Sequence, residues 1–178
     1  LQNLQDVFFL QTNGSGVLSF SSSGGKFESA LFHVRDEKSS GTEGGASTGG
    51  TTHTRVLNTV KTNEITGASL ASNQITLPSG TYFIISRSPV FIANQHKSFL
   101  YNVTDSSNTV IGSAHYATSG YEGAHDTFIF GRFTISSQKV FEIRHWISVS
   151  RSSNGLGVAS TLSGVVEVYT DTMIWKVA

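Results

Sequence analysis

Q-I-T-L-P-S-G-T-Y-F-I-I-S-R-S-P-V-F-I, residues Gln74 to Ile92, decides how this chain is read. A short apolar run enters Pro78-Ser79-Gly80, where Pro presets its own backbone angle and Gly accepts positive φ, so the chain turns. Tyr82-Phe83-Ile84-Ile85 follows, bulky β-formers in succession. Strand side chains alternate faces, so Tyr82 and Ile84 point one way and Phe83 and Ile85 the other. A strand with one wet face alternates apolar with polar residues; this one is dry on both. One face goes to the core of the domain. The other needs a second cover, either another part of the chain or another subunit.

The same pattern recurs further along. In Asp126 to Ile135, Phe128 and Phe130 oppose Ile129, Phe133 and Ile135. In Val165 to Val177, Tyr169, Met173 and Trp175 line one face and Val166, Val168 and Ile174 the other. Three doubly dry strands exceed the needs of a small monomeric core. Burying a large apolar side chain is worth roughly 1.5–3 kcal/mol, so several per subunit can hold an oligomer together. The interface candidates are Tyr82, Phe83, Ile85, Phe128, Phe130, Tyr169 and Trp175. The alternative is that loops cover these faces.

Around these strands the chain reads as all-β. Ala30 to Arg35 predicts a first strand, and Ser39 to Thr52 a long polar Gly-rich loop. His53 to Val60 predicts a second strand, and Ala71 to Leu77 leads into the Pro-Gly turn. Further strands are expected over His96 to Thr104, Val110 to Ala117 and Lys139 to Ser150, with loops at Thr118 to His125 and Arg151 to Ser163. Eight or nine strands with no helix suit a two-sheet antiparallel sandwich. Residues 1–28 differ. Val7 to Leu10, a turn at Thr12 to Gly16 and Val17 to Phe20 suggest a short hairpin, and Ser21 to Gly25 a flexible linker. The expected division is a neck over residues 1–28 and a sandwich domain over 29–178.

Composition removes several function classes. The chain has 178 residues, 12 basic against 12 acidic, and only 13% charged residues. That balance leaves no electrostatic footprint for nucleic acid or an anionic membrane. With no cysteine, disulfides, thiolate catalysis and Cys-based zinc sites are excluded. No run approaches the ~20 apolar residues that span a bilayer as a helix. None of the six histidines (His33, His53, His96, His115, His125, His145) pairs at metal-ligand spacing, so no metal or cofactor is expected. His33 and His145 read as hydrogen-bonded core or face residues. No G-x-S-x-G elbow presents a nucleophile, and no phosphate-cradling motif occurs. The expectation is a protein that is not an enzyme.

The run I-T-L-P-S-G-T-Y-F-I (Ile75 to Ile84) resembles the middle of a C1q/TNF-like jelly roll. G-R-F-T-I-S-S-Q-K-V-F-E-I (Gly131 to Ile143) is similar to that fold's late hairpin, and V-E-V-Y-T-D-T-M-I (Val166 to Ile174) to its closing strand. A closer resemblance is to the C-terminal domains of bacteriophage tail-fibre proteins. It rests on H-V-R-D-E-K-S-S-G-T-E-G-G (His33 to Gly45), T-R-V-L-N-T (Thr54 to Thr59) and Ile65 to Tyr82. It extends through H-K-S-F-L-Y-N-V-T-D (His96 to Asp105) and G-R-F-T-I (Gly131 to Ile135). Asn13 to Phe20 resembles a connector upstream of such tips. The resemblance implies a homotrimeric, extracellular tip of a virion fibre. An upstream shaft would carry it, and it would contact a host-cell receptor such as lipopolysaccharide, capsule or a surface protein. A trimerising cap without receptor binding is the alternative.

Loops at one end of a rigid sandwich are the usual carriers of recognition. Two carry suitable chemistry: Thr118 to His125, with Tyr121, Glu122 and His125, and Arg151 to Gly157, with Arg151 and Asn154. Aromatic faces stack on sugars and apolar groups, while Arg and Asn supply directional hydrogen bonds. Trp146, on the face opposite Phe141, Ile143 and Ile147, is a further recognition candidate, although burial at a subunit seam is the expected outcome for it.

Overall fold

The computed structural model describes residues 9–12, 18–21, 30–117 and 123–178. Among them every regular element is a strand. Phe9–Thr12 (β1) and Leu18–Ser21 (β2) pair as an antiparallel hairpin. Val7 and Phe8, the turn at Asn13 to Gly16 and the Ser22 to Gly25 linker lie outside the described residues.

The remaining strands are Ala30–Lys38 (β3), Thr51–Thr54 (β4), Thr59–Asn63 (β5), Ser69–Ala71 (β6), Gln74–Leu77 (β7) and Gly80–Phe91 (β8). They continue with Asn94–Asn102 (β9), Ser107–Ala117 (β10), Ala124–Ile135 (β11), Lys139–Ile147 (β12) and Glu167–Lys176 (β13). They form a two-sheet antiparallel jelly-roll sandwich. One sheet has the order β11-β8-β13-β3-β5; the other runs β10-β9-β12-β7-β6, with β4 also on β12. Inward-facing Phe32, Ile84, Ile129 and Ile174 of the first sheet meet Ile75, Leu100, Phe141 and Ile143 of the second, all fully buried. Turn chemistry sets the central strand's entry. At Gly80 φ is +156°, and a Cβ there would lie 2.6 Å from Lys176 Cε and 3.0 Å from the Ala178 carbonyl oxygen.

Three features depart from the sequence reading. The stretch His53 to Val60 is not one strand. β4 belongs to the second sheet and β5 to the first, so residues 55–58 cross the sandwich. The crossing buries Leu57 and the whole Arg55 side chain. Arg55 donates to Thr170 Oγ1 at 2.8 Å, the Pro89 carbonyl at 3.1 Å and the Leu156 carbonyl at 2.8 Å. Burial lowers its pKa to about 10, opposed by the charge of buried Asp36. It therefore stays charged at neutral pH. Asp36 is pushed upward by burial and pulled back by Lys38 and Arg55.

Second, Ser72 and Asn73 both adopt positive φ (51° and 64°), closing a tight hairpin between β6 and β7. Third, β13 carries a bulge. Val168 pairs with Glu37, yet Asp171 pairs with Arg35, so β13 holds one extra residue. A strand's facing has period two, so one inserted residue reverses it. Tyr169 therefore does not share a face with Met173 and Trp175.

Candidate functional site

The register across the first sheet stacks its outward-facing side chains in rows. Arg132, Phe83, Trp175 and Leu31 make one row, and Phe130, Ile85, Met173 and His33 the next. The Phe83 and Trp175 rings lie 6.2 Å apart, and Phe128 stacks on Phe130 at 5.7 Å. These contacts do not seal the face: Phe130 keeps 57% and Phe83 37% of its surface open. The result is an apolar band of aromatic, Met and Leu/Ile side chains with nothing in the described protomer laid over it.

Charged rows border the band. Phe128, Arg87, Asp171 and Arg35 are aligned across the sheet. Asp171 Oδ1 lies 2.6 Å from His33 Nε2 and 3.4 Å from Arg35 Nε. Arg35 and Lys61 both reach Glu37, at 3.3 and 3.2 Å, and Arg87 reaches Asp126 at 3.5 Å. Cations and carboxylates thus satisfy one another within the protomer. An apolar centre with a mutually paired polar rim is the anatomy of a protein–protein interface. At one end, beside Arg87 and Asp126, a cavity of about 380 Å³ opens between β8 and the 157–168 segment.

The loop end is stitched rather than loose. Gly44 N–H donates to the Gly157 carbonyl at 2.9 Å, and Ser47 and Arg151 exchange backbone hydrogen bonds at 2.8 Å. Glu167 binds both sides. Its carboxylate accepts from Gly41 N–H and Thr161 N–H through Oε1, and from Ser160 N–H and Oγ through Oε2, at 2.9–3.0 Å. Those donors, led by the backbone N–H groups of Ser160 and Gly41, bring its pKa down to about 2.

The sequence-derived candidates divide by location. Phe83, Ile85, Phe128, Phe130 and Trp175 lie on the outward face of the first sheet. Tyr82 and Tyr169 do not. Tyr82 is fully buried, stacked 5.5 Å from Phe133 and donating its hydroxyl to the Pro78 carbonyl at 2.6 Å. It adjoins Phe83 in the chain, so alternation aims it inward. The β13 bulge turns Tyr169 inward, where its hydroxyl donates to the Thr42 carbonyl at 2.7 Å. Of the loop candidates, Tyr121 and Glu122 lie outside the described residues. His125 is exposed at the start of β11. Arg151 and Asn154 are half-buried, and Arg151 Nε donates weakly to the Ile92 carbonyl at 3.5 Å. Both loops converge at one point: Phe91 N–H donates to the Gly155 carbonyl and Ile92 N–H to the Gly123 carbonyl. Trp146, 37% exposed, sits on the outward face of the second sheet, across the sandwich from the apolar band. Sequence reasoning missed the charged rim, because ion pairs across β3, β13 and β8 depend on a register that strand patterns do not encode.

No family model matches the chain, and no curated protein sequence does. Solved structures do. Two crystal structures of murine APRIL, at pH 5.0 and pH 8.0, superpose with TM-scores of 0.56 and 0.53 and 7% and 6% identity, each over 84% of this chain and 99% of that one. The fold is a C1q/TNF-like jelly roll. The globular domain of zebrafish complement 1qA protein matches 83% of this chain and 95% of its own at 10% identity, with a TM-score of 0.46, too loose to add to the assignment. At such identities the likeness concerns architecture alone.

Proposed function

We propose that this chain is the receptor-binding tip of a bacteriophage tail fibre, a homotrimer that attaches the virion to a host-cell surface glycan or protein. The observation that carries the proposal is the apolar band of Leu31, Phe83, Ile85, Phe130, Met173 and Trp175, open to solvent in the protomer. An exposed, contiguous apolar patch with a polar border marks an interaction surface. A second copy can cover it with the rim ions of β3, β5, β8, β11 and β13 already paired, leaving exposed Arg132 of the edge strand β11 as the charge in the band's rows without an ion-pair partner among the described residues. The linked motifs from His33 to Ile135 support the fibre-tip identity. On this reading residues 1–28 form the neck to an upstream shaft, and residues 29–178 the extracellular tip. Each subunit binds weakly through the loop end, and threefold repetition raises avidity. The chain performs no chemistry on its receptor.

The test combines assembly with attachment. The full chain is sedimented at micromolar concentration, then labelled and incubated with a panel of intact bacterial strains. The expected result is a trimer that decorates some strains and not others. A trimer that decorates none would identify a fibre cap. A stable monomer would remove the proposal altogether.

A further inference from the structure

A second surface, on the opposite side of the sandwich from the apolar band, carries ligand chemistry of its own. In the second sheet Ala114 of β10 lies opposite Lys97 of β9, and Lys97 opposite Trp146 of β12; Tyr116 lies opposite Gln95. Small Ala114 between long neighbours leaves a hollow of about 480 Å³, walled by Tyr116 and Trp146 and bordered by Gln95, Lys97 and His115. The hollow is shallow and open to solvent, and its walls are mainly apolar. The two aromatics are 60% and 37% exposed.

A bulge builds this arrangement. Ile111 pairs with Phe99 but Ala114 with Lys97, so β10 gains one residue between them. Without it, facing would run Ile111, Ser113, His115, and Tyr116 would point inward. Gly112 permits the bulge: a Cβ there would stand 2.6 Å from the carbonyl oxygens of Phe128 and Ser98. The backbone is thus bent where only glycine fits, and the bend turns Tyr116 to the side of the sheet that carries Trp146.

The polar groups here are mainly donors. Among the described residues no carboxylate lies within ion-pair distance of Lys97, whereas neighbouring Arg144 is paired with Glu142 at 2.8 Å and stacked 3.5 Å over Tyr101. Glu142 is saturated, since Gln74 and Thr54 also donate to it at 2.9 and 3.0 Å. Gln95 lies 3.0 Å from Ser148 Oγ, which also donates to the Ala93 carbonyl at 3.1 Å. Flat aromatic walls suit the C–H face of a pyranose, and an ammonium without an ion-pair partner suits a carboxylate.

The geometry points to a binding site for an acidic sugar residue, a pyranose bearing a carboxylate, seated between Tyr116 and Trp146 with its charge on Lys97. This deepens the receptor-binding reading by naming a ligand class, and it rests on that reading for its biological setting. Its chemistry can be measured separately. The full chain is titrated with equal-length oligosaccharides ending in glucuronate, in N-acetylneuraminate or in neutral glucose, followed by tryptophan fluorescence and saturation-transfer NMR. The expected result is at least tenfold preference for one acidic terminus over the neutral one, and which acid wins separates uronate from sialate-type ligands. Tyr116→Ala or Trp146→Ala should weaken binding at least tenfold. Lys97→Gln should abolish the acid-over-neutral preference while leaving assembly and circular dichroism unchanged. Equal binding of acidic and neutral sugars, no binding of either acid, or an acid preference that survives Lys97→Gln overturns the site. Strain decoration that persists while sugar binding fails would spare the receptor-binding reading and sink this inference alone.

Discussion

Phe130 offers the sharpest test of assembly. It keeps 57% of its surface open in the protomer. Fully burying a Phe is worth roughly 1.5–3 kcal/mol, so covering the open part contributes about 1–2 kcal/mol per copy, and about 3–5 kcal/mol over three copies. Phe130→Ala should therefore raise the trimer dissociation constant by about two to four orders of magnitude. Phe130→Glu should do more, because each copy would carry an unpaired carboxylate into an apolar seam. Since Phe130 is already largely open in the single chain, neither change should unfold the protomer. Mass photometry from nanomolar to micromolar concentration reads the result, with circular dichroism as the folding control. If Phe130→Glu assembles as well as the parent, the band is not the seam and the reasoning fails.

The remaining predictions concern the scaffold. Arg55→Met removes one of the two cations acting on buried Asp36, Lys38 at 3.9 Å being the other, and leaves the Pro89 and Leu156 carbonyls without their donor; each buried polar group left unsatisfied costs about 1–3 kcal/mol. Urea unfolding at fixed protomer concentration should show that loss, and Asp36→Asn in the same chain should recover part of it; additive effects of the two changes would refute the coupling. His96 and His145 share one buried hydrogen bond at 3.1 Å. Burial, then the nearby His115 and His125, lowers the His96 pKa to about 4, and burial with Arg55, His96 and His53 lowers His145 well below its ordinary value. The unfolded chain, titrating near 6.5, holds more protons than the folded one between about pH 6.5 and 4, so stability should be lost as pH drops through that window and stay flat above about 7. Equal urea midpoints at pH 7.5 and 5 would contradict this. Glu167, with its pKa lowered to about 2, gives up its contribution only as pH falls from about 4.5 toward 2. Glu167→Ala at neutral pH should speed hydrogen exchange at Gly41, Ser160 and Thr161 without changing trimer content, and unchanged protection there would count against its role as the loop clasp.

Much of the architecture was legible from residue order. Tyr82 to Ile85 and Phe128 to Ile135 are dry on both sides, and both lie on strands of the sheet that carries the open band. Pro78-Ser79-Gly80 marks the turn that feeds β8. The places where the reading departed share a cause. His53 to Val60 has strand-like alternation throughout, but Arg55 finds its partners on Thr170, Pro89 and Leu156, and those distant acceptors draw the chain across the sandwich. Tyr169 was assigned to the wrong face because a single extra residue in β13 reverses its parity. Tyr116 and Lys97 went unnoticed because their meeting with Trp146 depends on a bulge at Gly112 and on a register between separate strands.

Period-two patterning is local, so the sequence alone determined that this chain is built of strands, which of them are apolar on both sides, and where the glycine and proline turns fall. Facing and partnership are not local. Whether a side chain at a given step meets the core, a neighbouring copy or open solvent depends on bulges and on pairing across long loops. Those are settled only when all the backbone donors and acceptors are matched together, and that matching is what the tertiary structure decided.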